Sequence, residues 1–305
     1  MHSLNLGANN LSRTPPPDLF DLPGLTELWL YSNPMKFNFT GIERANNLTT
    51  LLLDGTGLVS LDGLGKGTSL VHLDLSFNAI NGTFPYEEIF SLVNLKTVSL
   101  ANNYLAGDLV SYALDHLVNL EKIRLDSNFF TGDLPNFANF RKLDSLDLSN
   151  NDFTSSIPDK FLAGIENKSK PIIVNLAANQ LTGTISSTVF GQFDNLTLYI
   201  RGNMITEIED SLCQKEDWNG GDVGLYKCDG LACPPNTYND IGRQNSDSNN
   251  CEICGTAVYY GSNVCPSKSP NPNSITTSAG SCKFGGIPSW MIAVFIAVLG
   301  TTFCI

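Results

Sequence analysis

No cysteine occurs in the first 212 of the 305 residues; all eight lie from Cys213 onward. Packing, hydrogen bonds and topology alone must hold the first part, whereas the remainder is suited to cross-linking. Positive charge is also scarce, since 18 Lys and Arg against 30 Asp and Glu leave a formal net charge of -12. That balance argues against a nucleic-acid partner, because affinity for phosphate backbones comes from cationic side chains. Histidine occurs three times, at His2, His72 and His116, and no Ser or Cys sits in a nucleophile motif, so a hydrolase has no anchor. The one near-match to a phosphate loop, Gly63-Leu-Gly-Lys-Gly-Thr-Ser69, places Gly67 where a hydroxyl residue should follow Lys66. The chain reads as a non-enzyme without a cofactor.

What is present is one pattern, LxxLxLxxNxL, returning nine times. The Asn step falls at Asn9, Asn33, Thr56, Asn78, Asn103, Asn128, Asn151, Asn179 and Asn203, giving spacings of 24, 23, 22, 25, 25, 23, 28 and 24 residues. Alternation such as Leu73-Asp74-Leu75 is period two, so each LxL predicts a short strand with its leucines inward. A single turn cannot bury enough apolar surface to offset its own chain entropy, but stacked turns share one core. Turn eight reads Pro171, Val174 and Leu176 in the apolar places, and turn nine is degraded, with Leu198, Ile200 and Ile205. An asparagine amide both donates and accepts, which suits a chain turning sharply out of each strand. Thr56 offers only a hydroxyl, so turn three should be the least well tied of the first seven.

After the Asn step several copies add Gly and an apolar-Pro pair, as in Gly82 to Pro85, Gly132 to Pro135, Ile157-Pro158 and Gly183 to Ile185. These residues resemble the plant-type leucine-rich repeat, LxGxIP, of receptor-like proteins and polygalacturonase-inhibiting proteins, over about residues 1 to 212. The resemblance implies an α/β-type repeat solenoid, a right-handed superhelix with a parallel sheet on its concave face. The family's cysteine-paired N-terminal cap is absent, and the first copy starts at Met1 with no preceding hydrophobic segment. A missing upstream segment or a frayed first turn is therefore expected.

Strand residues facing away from the core are free to vary, and Trp29, Tyr31, Leu52, His72, Lys122, Arg124, Tyr199 and Arg201 are the candidates there for binding an extracellular protein, peptide or glycan. Trp29, Tyr31 and Leu52 should form an apolar patch, with packing under a missing cap as the competing reading. Asp54, Asp74, Asp126 and Asp147 could line up as an acidic ladder; solvation of the sheet outweighs calcium binding as its use. Adhesion in a wall or matrix, and inhibition of a wall-degrading hydrolase, are the alternative functions.

Residues 213–265 hold Cys213, Cys228, Cys233, Cys251, Cys254 and Cys265 in a Gly-, Asn- and Pro-rich stretch with little apolar core. Cys228, Cys233, Cys251 and Cys254 could supply four thiolates to zinc. Sequons at Asn10, Asn38, Asn47, Asn81, Asn167 and Asn195 favour an oxidising exterior and disulfides instead. The run Cys233-Pro-Pro-Asn-Thr-Tyr to Cys251-Glu-Ile-Cys254 resembles the short disulfide modules of tumour-necrosis-factor-receptor and ephrin-receptor ectodomains. The pairing expected is Cys213 with Cys228, Cys233 with Cys251, and Cys254 with Cys265, one of fifteen arrangements. Residues 266–286 read as a Pro-, Ser-, Thr- and Asn-rich stalk, and 287–305 as an uncharged membrane segment of about 28 Å if helical. No Lys or Arg follows it, and Ser278 to Ser281 are small, so a glycolipid-anchor signal and a transmembrane helix both stay open. The whole predicts a protein anchored at the outer cell surface that needs a membrane co-receptor to signal inward.

Overall fold

Every predicted LxL contributes a short strand that pairs in parallel with its neighbouring turns. Ser3–Asn5, Glu27–Trp29, Thr50–Leu52, His72–Asp74, Thr97–Ser99, Lys122–Arg124, Ser145–Asp147, Ile172–Asn175 and Leu196–Tyr199 form one nine-stranded sheet in chain order. The computed structural model describes residues 2–110, 114–213, 215, 231–233, 235–240, 242–244, 251–259 and 261–268. Residues 1–266 form one compact unit, and of the second, 267–305, only Ser267 and Lys268 are described. The candidate membrane segment, the stalk beyond Lys268 and Cys228 lie outside the described residues. Among the described residues no helix is long and apolar enough to cross a membrane.

The leucines interlock as the period predicts. Leu28, Leu51, Leu73, Val98, Ile123, Leu146, Val174 and Leu198 stand in register along the sheet, each at most 4% exposed. Phenylalanines share the same core: Phe161 meets Phe137 and Phe190 edge-on at 6.1 Å each, and Phe130 stacks on Phe153 at 6.2 Å. Two short parallel ladders lie just past the Asn step, one of Asn81–Gly82, Tyr104–Asp108 and Phe129–Thr131, the other of Thr182–Ile185 and Met204–Ile208. The first turn keeps its strand, but Leu4 and Leu6 are only half-buried and Leu11 is exposed.

Turn eight differs from its sequence reading. Pro171 is exposed, and Ile172 takes the core place instead. Proline has no N–H to give a ladder, so pairing begins one residue later, where Ile172 N donates to Asn195 O at 2.9 Å. Ile172, Val174 and Leu176 then alternate inward.

The Asn side chains stitch the turns together. Asn103 Nδ2 donates to Leu75 O of the preceding turn at 3.0 Å and, within its own turn, to Leu100 O at 3.0 Å and Ala101 O at 3.2 Å. Its Oδ1 accepts Ile80 N at 3.1 Å. Asn128, Asn151 and Asn179 repeat the arrangement. The residue before each of these asparagines, and before Asn78, is left-handed although none is glycine: φ is +55° at Phe77, +53° at Asn102, +58° at Ser127, +53° at Asn150 and +54° at Ala178. Such a corner costs an L-residue about 1–2 kcal/mol, and the amide bonds across it offset that cost.

Thr56 breaks the series as expected. Its Oγ1 donates to Leu53 O of its own turn at 2.8 Å and lies 3.2 Å from Asn78 Oδ1, so its single proton reaches no carbonyl of turn two. Met35 N, which an asparagine at 56 would bind, turns to Asn33 O at 2.8 Å. Asn78 compensates from the other side, its Oδ1 accepting both Thr56 N and Leu58 N. Thr56→Asn changes the side-chain volume little and should add stability of about 1 kcal/mol, whereas Asn103→Thr should cost about 1–3 kcal/mol by leaving carbonyls unpaired. Denaturant midpoints check both, and a Thr56→Asn variant less stable than the parent contradicts the assignment.

Past the ninth turn the chain stays attached to the core through Leu231, which is buried with the solenoid's apolar cluster. Leu231–Ala232 pairs antiparallel with Arg243–Gln244, and Thr237–Tyr238 with Glu252–Ile253. Cys233 bonds Cys251 and Cys254 bonds Cys265, with Cα separations of 5.6 and 5.8 Å. Cys213 is also disulfide-bonded. Three of the four thiols a zinc site would need are thus committed to disulfides.

Candidate recognition face

The parallel register sorts the outward strand residues into rows. The first runs Ser3, Glu27, Thr50, His72, Thr97, Lys122, Ser145, Ile173 and Thr197; the second runs Asn5, Trp29, Leu52, Asp74, Ser99, Arg124, Asp147, Asn175 and Tyr199. Two residues further along each turn lie Tyr31, Asp54, Ser76, Asp126, Ser149 and Arg201, at the edge where the chain turns away. Trp29, Leu52, Arg124 and Tyr199 therefore share one row, His72 and Lys122 another, and Tyr31 and Arg201 the edge.

These residues fall into two groups with a polar middle. Trp29 pairs directly with Leu52, and both are half-buried. The Tyr31 ring lies over Gly7 of the preceding turn, so closely that a Cβ there would collide with it. Trp29 Nε1 is buried with no hydrogen-bond partner among the described residues. Between the groups His72 Nδ1 sits 3.0 Å from Thr97 Oγ1, and Arg124 Nη2 pairs with Asp126 Oδ1 at 3.2 Å.

At the other end Tyr199 and Arg201 wall a hollow of about 450 Å³ with Ser149, Asn150, Asn175, Ala177 and Ala178. Its floor is low because Ser149 and Ala177 are small, and its shape is fixed because Asn175 Nδ2 donates to Asp147 Oδ2 at 3.2 Å and to Ser149 Oγ at 3.1 Å. Asn150, Asn175 and Ser149 escaped the sequence reading, since only the register brings three successive turns to one depression.

The acidic ladder is not continuous. Asp74 and Asp147 each accept a serine two residues on, with N–O distances of 2.9 Å from Ser76 and 3.0 Å from Ser149. Asp54 is raised above the ordinary carboxylate value by burial and then by Asp74, and Asp126 by burial and then by Asp147, against the pull of Arg124. Ser99 in turn five separates the two pairs. No cluster of three or more His, Cys, Asp or Glu able to hold a metal occurs among the described residues. The glycine loop near Lys66 already binds an anion of its own, as Glu88 accepts Gly63 N at 3.0 Å and Gly65 N at 2.6 Å. Of the sequons, Asn10, Asn38, Asn47, Asn81 and Asn167 are exposed, while half-buried Asn195 donates its amide to Ser169 O at 2.6 Å.

A continuous leucine spine with a ladder of asparagines and a freely varied sheet face defines a leucine-rich-repeat solenoid. The leucine-rich-repeat family model matches residues 142–163, one turn. The chain resembles plant receptor-like proteins of that class. It is 33% identical over 164 residues to the receptor-like protein kinase BRI1-like 3 of Arabidopsis thaliana, covering 53% of this chain and 12% of that protein. It is 47% identical over 121 residues to a probable inactive receptor kinase of the same plant, covering 39% of this chain and 11% of the other. The match thus spans about an eighth of each curated relative. Among solved structures, the Arabidopsis receptor kinase HAESA, in complex with the peptide hormone IDA and the co-receptor SERK1, superposes with a TM-score of 0.59 at 25% identity, covering 72% of this chain and 41% of that one.

Because Asp54 has a raised value when folded, the native state takes up a proton there, and its contribution is full below the ordinary value of 3.8 and lost as pH rises through the raised one. Asp54→Asn should therefore raise the melting temperature at pH 7, and the gain should shrink as pH falls through the raised value and be lost below 3.8. Thermal melts of both proteins across that range check it; a gain that does not change with pH contradicts the assignment.

Proposed function

We propose that the chain is the extracellular recognition part of a cell-surface, receptor-like protein that binds an extended peptide along its sheet face and acts through a membrane co-receptor, without catalysis of its own. The observation that carries this reading is the hollow between turns seven and nine, walled by Tyr199 and Arg201 on a face the scaffold does not need. Tyr and Arg are the usual anchors of interfaces. From turn two to turn nine is seven strand spacings of about 4.8 Å, roughly 34 Å. An extended peptide of about ten residues covers that length, so one ligand can reach both the Trp29–Leu52 pair and the hollow.

HAESA, bound to a peptide hormone and a co-receptor, supports both partners by analogy. Anchorage at the membrane rests on the uncharged sequence 287–305. Glycosylation at the exposed sequons fits the same compartment.

The test is capture of ligands from extracellular fluid by the full chain, followed by affinity measurement on variants. Tyr199→Ala and Arg201→Ala should each weaken the captured peptide's Kd at least about tenfold, some 1.4 kcal/mol, and Lys66→Ala, in the 3-10 helix Leu64–Lys66 outside the sheet, should not change it. Unchanged binding in both face variants contradicts the reading. Tight capture of a single soluble hydrolase would favour an inhibitor instead, and weak multivalent glycan binding an adhesion protein.

A further inference from the structure

Outside the sheet face the described solenoid carries an aromatic pair that the scaffold does not need. Tyr104 and Phe129 each follow an asparagine of the ladder, in turns five and six, and are 58% and 52% exposed. Their rings stack with centroids 6.3 Å apart and planes 12° from parallel. Buried rings would repay their placement through the core, but these lie on the flank, where exposed apolar surface calls for an explanation. At the equivalent place in turn four stands Ala79, too small to cover the face of Tyr104 turned away from Phe129.

What lies beside that face is a sequon. Asn81, first residue of Asn81-Gly82-Thr83, is the direct strand partner of Tyr104, with Tyr104 N donating to Ile80 O at 2.8 Å. Registered residues of a parallel pair sit about 4.8 Å apart and point to the same side. Asn81 is exposed, and its amide nitrogen makes only a long 3.5 Å contact, to Ala79 O.

We propose that Asn81 carries an N-linked glycan whose first N-acetylglucosamine packs on the Tyr104–Phe129 pair, so that the flank is covered by the protein's own sugar. Attachment joins Asn81 Nδ2 to C1 of a lipid-linked diphospho-oligosaccharide. The C1–O bond to the diphosphate breaks, the amide gives up one proton, and the lipid diphosphate leaves. One face of the sugar ring presents the axial C–H bonds of C1, C3 and C5, weakly positive, which complement the negative face of an aromatic ring. Tyr104 is held upright by Phe129 for that contact, and the link to Asn81 makes the encounter intramolecular, which raises its effective concentration. The inference rests on the extracellular reading above.

The experiment expresses the full chain through the secretory pathway of a eukaryotic host with an added leader, and trims all glycans to one N-acetylglucosamine. Mass spectrometry then reads occupancy at each sequon, and thermal melts compare the trimmed protein with Asn81→Gln in both the native and the Tyr104→Ala/Phe129→Ala backgrounds. The expected result is occupancy at Asn81 and a melting temperature about 2–4 °C higher with the sugar than without, a gain that vanishes when the rings are removed. An unoccupied Asn81 beside occupied exposed sequons such as Asn38 or Asn167 overturns the proposal, as does an equal gain with and without the rings. If no sequon is occupied, the extracellular reading fails and the proposal with it.

Discussion

The buried asparagine side chain at all corners but the first and third is the constraint on which the solenoid depends. Leucines stacking on leucines supply the driving force, but hydrophobic contact is non-directional and would allow turns to slide. The amide fixes the register because it reaches both ways, donating to a carbonyl of the turn before and accepting an N–H of that turn, as Asn128 does with Leu100 O and Leu105 N. It also holds a left-handed corner open to residues as unlike as Phe77, Ser127 and Ala178. The scaffold therefore makes few demands on what stands on its surface.

That freedom is what recognition needs. With the inward places taken by leucine and the corners by asparagine, the outward row from Asn5 to Tyr199 can carry any side chain without altering the fold. Small residues next to large ones, Ala177 beside Tyr199 and Arg201, then make relief, and hydrogen bonds such as Asn175 to Asp147 keep that relief rigid before any ligand arrives. Pre-organisation of this kind lowers the ordering cost of binding.

Much of this was legible in the sequence because a repeat states its own register. The nine strands, the inward leucines and the weak tie at Thr56 follow from counting residues, whereas the eight outward candidates, read together, divide into two rows and an edge. What was not legible depends on neighbours a turn away. Ile172 displaces Pro171 because a ladder needs an N–H. Glu88, 25 residues downstream of Gly63, fills the amides that make the Gly63 loop resemble a phosphate site. The hollow needs Ser149, Asn175 and Arg201 from three turns, and Tyr104 meets Phe129 only through stacking. None of these pairings has a local signature.

Native-state hydrogen exchange tests the asparagine ladder most directly. The amides accepted by a ladder oxygen, among them Leu58, Ile80, Leu105, Phe130 and Phe153, should be protected to a similar degree, and Met35, which bonds back to Asn33 O for want of an asparagine at 56, should exchange distinctly faster. Met35 as slow as Ile80 would show that the turns are held in register by packing alone.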